Sequence, residues 1–227
     1  MGAFSNLNIQ DILISILVLT FSLSVHEYAH ARVAYALGDD TAEKSGRLTL
    51  NPMAHLDPMG ALLFIFARIG YAKPVPVNPA RFTKTNAKQG MVWVSLAGPM
   101  SNLLIAFVAS FLFHLLQFGM IQAPSVLLES IVFNTLLNIF AIFFHANIWL
   151  AIFNMLPVPP LDGYKIFGSF LPNRIYYQIM RYERYVGLIF FLLIYFGGGI
   201  IGRVMSTLAY PITWLFSVPF KLLFGFV

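Results

Sequence analysis

Long uninterrupted apolar segments govern what this chain can become. They recur along its 227 residues. A segment of about 18 residues, rising roughly 1.5 Å per residue as a helix, crosses a hydrocarbon layer about 30 Å thick. The balance of residue types agrees, with 59% hydrophobic and 10% charged, which would leave a water-soluble domain with far more apolar surface than it could bury. The expected fold class is therefore an all-α polytopic membrane protein, a single domain over residues 1–227 with about four to five transmembrane helices.

The spans are placed at about residues 11–37, 91–120, 130–155, 185–201 and 206–224, with Gly38 ending the first. Gly197-Gly198-Gly199 and Pro211 interrupt the C-terminal region, so two spans there, or one span with an interfacial helix, both fit. Residues 39–90 form a mixed segment. Its turn signals Asn51-Pro52, Asp57-Pro58 and Lys73-Pro74-Val75-Pro76 surround an apolar piece at 62–69 that is too short to cross, expected as a re-entrant, interfacial or short β segment.

The charge of +5 comes from 14 Lys and Arg against 9 Asp and Glu, and no basic run or RNA-binding motif accompanies it, so no nucleic-acid partner is expected. Instead the cations read as topology signals. Lys44, Arg47, Arg68, Lys73, Arg81, Lys84 and Lys88 lie between spans one and two, and Lys165, Arg174, Arg181 and Arg184 between spans three and four. Those loops are expected in the cytoplasm, with the N-terminus outside. The absence of Cys excludes disulfide frameworks, thiol nucleophiles and cysteine-ligated zinc. A cleavable signal peptide is not expected, because the first apolar stretch lacks a basic leader and runs into charged residues rather than a small-residue cleavage site.

Those residues are His26-Glu27-Tyr28-Ala29-His30, an HExxH pattern inside a predicted helix. Side chains four apart share a helix face, so two imidazoles can meet one tetrahedral zinc, while the carboxylate of Glu27 beside them can move a proton to and from water. Ionisable groups in a membrane helix are costly and point to function. A catalytic zinc needs a third ligand at the same depth. His114 falls near the outer end of span two and His145 near the middle of span three; Asp162 follows a span that prolines break, which lets its carboxylate turn back toward the bundle. On depth, Asp162 is the third ligand.

The residues resemble the site-2 proteases, zinc enzymes that cut peptide bonds within or near the membrane. His26 to His30 is similar to the zinc-binding helix of that family, Gly98-Pro99-Met100-Ser101-Asn102 to its GPxxN element, and Asn154 through Asp162-Gly163 to its NxxPxPPLDG element. Further stretches, Gly46 to Pro52, His55 to Gly60 and Ala72 to Pro79, resemble a compact bacterial branch without PDZ-like or CBS-like domains. The resemblance implies one zinc per chain held by His26, His30 and Asp162, Glu27 as general acid and base, and Asn154 holding substrate or the oxyanion. It also implies a bacterial cell membrane; the site's place toward the cytoplasmic face follows from the positive charge of the loops beside it.

Two further residues carry expectations of their own. His55, flanked by turn prolines, could shield the zinc, bind substrate, ligate, or simply shape a turn. Asn102 could hydrogen-bond near the site or join helices, with Gly98 and Pro99 expected to open the helix that carries it. The expected partners are a membrane-anchored protein or peptide substrate and the lipid bilayer; a regulator and the oligomeric state are not legible. Two other readings of the same residues stay open, an ion- or proton-coupled transporter and an inactive zinc-binding membrane scaffold.

Overall fold

The computed structural model describes residues 9–57, 73–122 and 130–225. Helix α1 (Ile9–Ala36) shows how the apolar sequence sorts itself. Val18, Ser22, His26, His30 and Ala34, spaced by four, are all buried and form one inner stripe, while Leu13 and Leu17 on the other side are more than 60% exposed. That outward apolar surface suits lipid, where only the polar residues need shelter. The helix closes at Gly38 with paired bonds from Gly38 N–H to the Tyr35 carbonyl and from Asp39 N–H to the Ala34 carbonyl.

Between the first two long helices the described residues form short helices α2 (Thr41–Lys44) and α3 (Pro52–His55) and a 3-10 turn at Pro79–Arg81. No strand occurs among the described residues, and the apolar piece at 62–69 lies outside them. The fully buried Asp39 anchors this segment, accepting from Asn78 N–H at 2.7 Å and from Thr41 N–H at 3.1 Å. Lys73 N–H donates to the His55 carbonyl at 2.8 Å, and the Arg47 guanidinium donates to the Lys73 carbonyl.

Helix α4 (Ala87–Gln122) starts eleven residues before Gly98, so Gly98 and Pro99 lie inside it and do not open it. The true start is Asn86, whose side chain accepts from Gln89 N–H at 2.9 Å while its amide nitrogen donates to Gln89 Oε1 at 3.4 Å. This reciprocal cap closes the first turn. Pro99 removes one N–H from the helical ladder but does not stop it.

Helix α5 (Ile131–Asn154) runs parallel to α1: Gln10 donates to Thr135, Asn138 to Asp11, and Asn147 to Ser22. Helix α4 runs against both. Beyond α5 the chain turns through Met155 to Leu161 into α6 (Asp162–Gly168), then α7 (Asn173–Arg181) and α8 (Glu183–Phe224).

The C-terminal region, expected as two segments at 185–201 and 206–224, is one continuous helix of 42 residues. Each Gly weakens a helix by roughly 1 kcal/mol in water, less than unpaired peptide groups cost in an apolar medium, so the glycine triplet does not break it. Among the described residues, four helical stretches are long and apolar enough to cross a membrane, at Ile9–Ala36, Ala87–Met120, Ile131–Asn154 and Ile201–Phe224, and residues 185–194 add a shorter apolar stretch. The buried core joins Ala106 and Ala109 of α4, Phe144, Ile148 and Ile152 of α5, and Met205 and Ala209 of α8. Small residues on α4 let the helices approach closely. The protein is an integral membrane protein of helices.

Candidate metal centre

The inner stripe of α1 carries His26 and His30 to the face that meets α4 and α6. Their rings pack edge to face with centroids 4.6 Å apart, and their Nε2 atoms are 2.9 Å apart. Asp162 Oδ2 lies 3.2 Å from His26 Nε2 and 3.1 Å from His30 Nε2. All three residues are buried, and among the described residues they form the one group of His and carboxylate ligand atoms gathered closely enough to hold a metal ion. A tetrahedral zinc with bonds of about 2.0–2.1 Å spaces its ligand atoms about 3.3 Å apart, so the observed triangle fits it.

The remaining ring nitrogens are committed elsewhere. His26 Nδ1–H donates to Asn102 Oδ1 at 2.6 Å, and His30 Nδ1–H donates to the Val94 carbonyl at 2.6 Å. A carbonyl can only accept, so each Nδ1 carries a proton and each Nε2 is the nitrogen left to ligate once the ring is neutral. Val94 and Asn102 lie four residues either side of Gly98 on one face of α4. A Cβ on Gly98 would stand 2.5 Å from the Nε2 atoms of both histidines, so the bare glycine leaves the space the ligand atoms use.

Asp162 reaches this depth because the turn after α5 folds tightly. A Cβ on Gly163 would stand 2.2 Å from the Met155 carbonyl oxygen, so only glycine lets α6 start against the end of α5. Burial alone would raise the Asp162 carboxyl; positive charge at the His30 and His26 Nε2 positions, carried by protons or by a metal ion that replaces them, more than offsets this and holds it well below the usual carboxylate range. It therefore stands as an anion, the form that ligates a metal. Lys165 Nζ is 3.9 Å from its other oxygen.

Glu27 is half-buried beside the centre, and its Oε2 accepts from Val75 N–H at 2.8 Å. Val75, within the stretch from Lys73 to Asn78, thus lies against the carboxylate that HExxH supplies. Asn102 is brought to the site as the acceptor for His26. Asn154 and His55 are not joined to it by hydrogen bonds among the described residues: the Asn154 amide donates to the Leu150 carbonyl of its own helix at 3.0 Å, and His55 Nε2–H to the Thr49 carbonyl at 2.7 Å. His114 is buried with its ring on the Ser110 carbonyl, whereas His145, near the middle of α5, is exposed.

Sequence reasoning passed over Asn147 and Ser22. Asn147 donates to Ser22 Oγ at 2.8 Å and accepts from Asn102 Nδ2 at 2.8 Å. The signal was available, since an Asn inside so apolar a span is conspicuous and Ser22 lies one turn before His26.

Residues 14–197 match the sequence model of peptidase family M50. A Bacillus subtilis protein named "Putative zinc metalloprotease YwhC" is 44% identical over 182 residues, 79% of this chain and 78% of that protein. A Methanocaldococcus jannaschii relative, "Putative zinc metalloprotease MJ0611", is 30% identical over 72% of this chain and 74% of its own length. Against "Putative zinc metalloprotease Rip2" of Mycolicibacterium smegmatis the identity is 34% over 63% of this chain, which spans about half, 51%, of that protein. No solved structure matches the chain. The cofactor these relatives name is zinc, and the buried donor set suits it. The match covers all three expected motifs, from the HExxH helix to the Asp162 turn, and the chain belongs to peptidase family M50, the site-2 protease family of membrane zinc metalloproteases.

Proposed function

We propose that this chain is an endopeptidase that hydrolyses peptide bonds of membrane-embedded substrates, with His26, His30 and Asp162 holding one zinc and Glu27 as general base and then general acid. The observation that carries the reading is the triangle of two committed imidazoles and one buried carboxylate beside a half-buried Glu27. Zinc held there supplies Lewis-acid polarisation of the scissile carbonyl and makes water easier to deprotonate. Glu27 takes the proton from water as its oxygen adds to the carbonyl carbon, then delivers it to the amide nitrogen as the C–N bond breaks. The products are a carboxylate and an amine.

Glu27 can act in this way with Oε1 while Oε2 keeps the Val75 N–H, which fixes the carboxylate's orientation. Strand addition of substrate along residues 73–78 has limited scope. Pro74 and Pro76 have no N–H, and those of Lys73, Val75 and Asn78 go to His55, Glu27 and Asp39, leaving Val77 as donor. We assign Asn154, at the end of α5 above the Asp162 turn, to holding the substrate backbone. Lys73, Arg81, Lys84 and Lys88 share the site's side of the bundle with Lys165, Arg174 and Arg181, which supports a cytoplasmic-facing site with the N-terminus outside.

The test is cleavage of membrane-anchored peptides by the reconstituted protein, wild type against Glu27→Gln. Wild type should release products that the variant does not; a zinc-loaded wild type inert toward a broad panel would refute the proposal.

A further inference from the structure

Four polar side chains join three long helices in a closed circuit: Ser22 of α1, Asn147 of α5, Asn102 of α4, and His26 of α1 one turn from the start. All four are buried to within 4% of complete. The bonds run from Asn147 Nδ2 to Ser22 Oγ, from Asn102 Nδ2 to Asn147 Oδ1, and from His26 Nδ1 to Asn102 Oδ1, at 2.8, 2.8 and 2.6 Å. Asn147 Nδ2 also donates to the Phe143 carbonyl of its own helix at 2.9 Å.

The ends of an amide are told apart by what they face. Ser22 could donate or accept, so it imposes no direction. The Phe143 carbonyl can only accept, so Asn147 must turn its nitrogen there and its oxygen to Asn102. Asn102 then has to donate toward Asn147, which leaves its oxygen facing His26. An oxygen there requires the proton on His26 Nδ1, so that in the neutral imidazole the lone pair sits on Nε2.

We infer that Asn147 is a positioning residue for zinc: it carries the fixed polarity of the Phe143 carbonyl through Asn102 to select the metal-binding tautomer of His26. The inference rests on the zinc reading above and extends it to a residue outside every recognised motif. Without Asn147 the Asn102 amide can reverse and present its NH2 to His26, which favours the tautomer whose Nε2 is protonated and cannot ligate. Breaking the support behind a metal-bound His costs roughly 10- to 100-fold in affinity.

A carboxylate at 102 has no donor end to misplace, and this supplies the test. Zinc affinity of the whole detergent-solubilised chain is measured by competition with a chromogenic chelator for wild type, Asn147→Leu, Asn102→Asp and the double variant. Asn147→Leu should weaken zinc binding roughly 10- to 100-fold in the native background, and should leave it unchanged or tighter in the Asn102→Asp background, where it removes the Asn147 oxygen that faces the carboxylate. Equal losses in both backgrounds would assign Asn147 to packing and overturn the inference, as would wild-type affinity in Asn147→Leu. If Asn147→Leu does not fold, Asn147→Ala makes the same break without bulk and takes its place. A wild type that binds no zinc would instead bring down the metal reading, and the inference with it.

Discussion

Replacing Gly98 by Ala adds one methyl group at the tightest point of the centre. The new Cβ would lie 2.5 Å from the Nε2 atoms of both His26 and His30, against an ordinary carbon contact of roughly 3.5 Å or more. About 1 Å of separation must be found. Moving α4 away does not provide it cheaply, because the same helix face holds both rings, His30 at the Val94 carbonyl and His26 at Asn102, each at 2.6 Å. A shift of the helix carries the rings along or breaks those bonds. Losing one support costs roughly 10- to 100-fold in metal affinity, and a methyl beside both ligand atoms strains both supports, so Gly98→Ala should weaken zinc by about 100-fold or more. Overpacking should also lower stability by about 1–3 kcal/mol. The assay is chelator competition with thermal unfolding alongside. Folded Gly98→Ala that binds zinc within about threefold of wild type, well inside the loss from one support, would refute the geometry argued here.

Three other changes separate the remaining parts. Gly163→Ala places a Cβ 2.2 Å from the Met155 carbonyl oxygen, and should lower both zinc content and the unfolding temperature by displacing Asp162. Val75→Pro removes the N–H that orients Glu27 and should reduce kcat about tenfold with zinc content unchanged, as read from turnover and metal analysis of one preparation. His55→Ala should retain zinc, because that ring donates to Thr49 and lies outside the ligand group; loss of metal would make His55 a ligand.

The grouping of His26, His30 and Asp162 was legible because its geometry is written in local spacing. A spacing of four from His26 to His30 places both on one helix face, and prolines after α5 return Asp162 to that depth, as the structure shows. The helix boundaries were less legible. Gly98-Pro99 has the chemistry of a helix start, but the capped turn at Asn86 and Gln89 begins α4, and the interior proline loses only one backbone bond. The glycine triplet misled in the same direction, since propensity measured in water undervalues how strongly a membrane enforces backbone pairing. Asn147 was missed for a different reason. Its partners Ser22 and Asn102 are 125 and 45 positions away in the chain, and no local pattern reveals which buried amide faces which.

Metal analysis of the purified protein tests the central claim most directly. Wild type and Glu27→Gln should each hold one zinc per chain, whereas Asp162→Ala should lose it, since Asp162 closes the ligand triangle and Glu27 stands outside it. Wild type with far less than one zinc per chain, or Asp162→Ala that keeps the metal as firmly as wild type, would contradict the account.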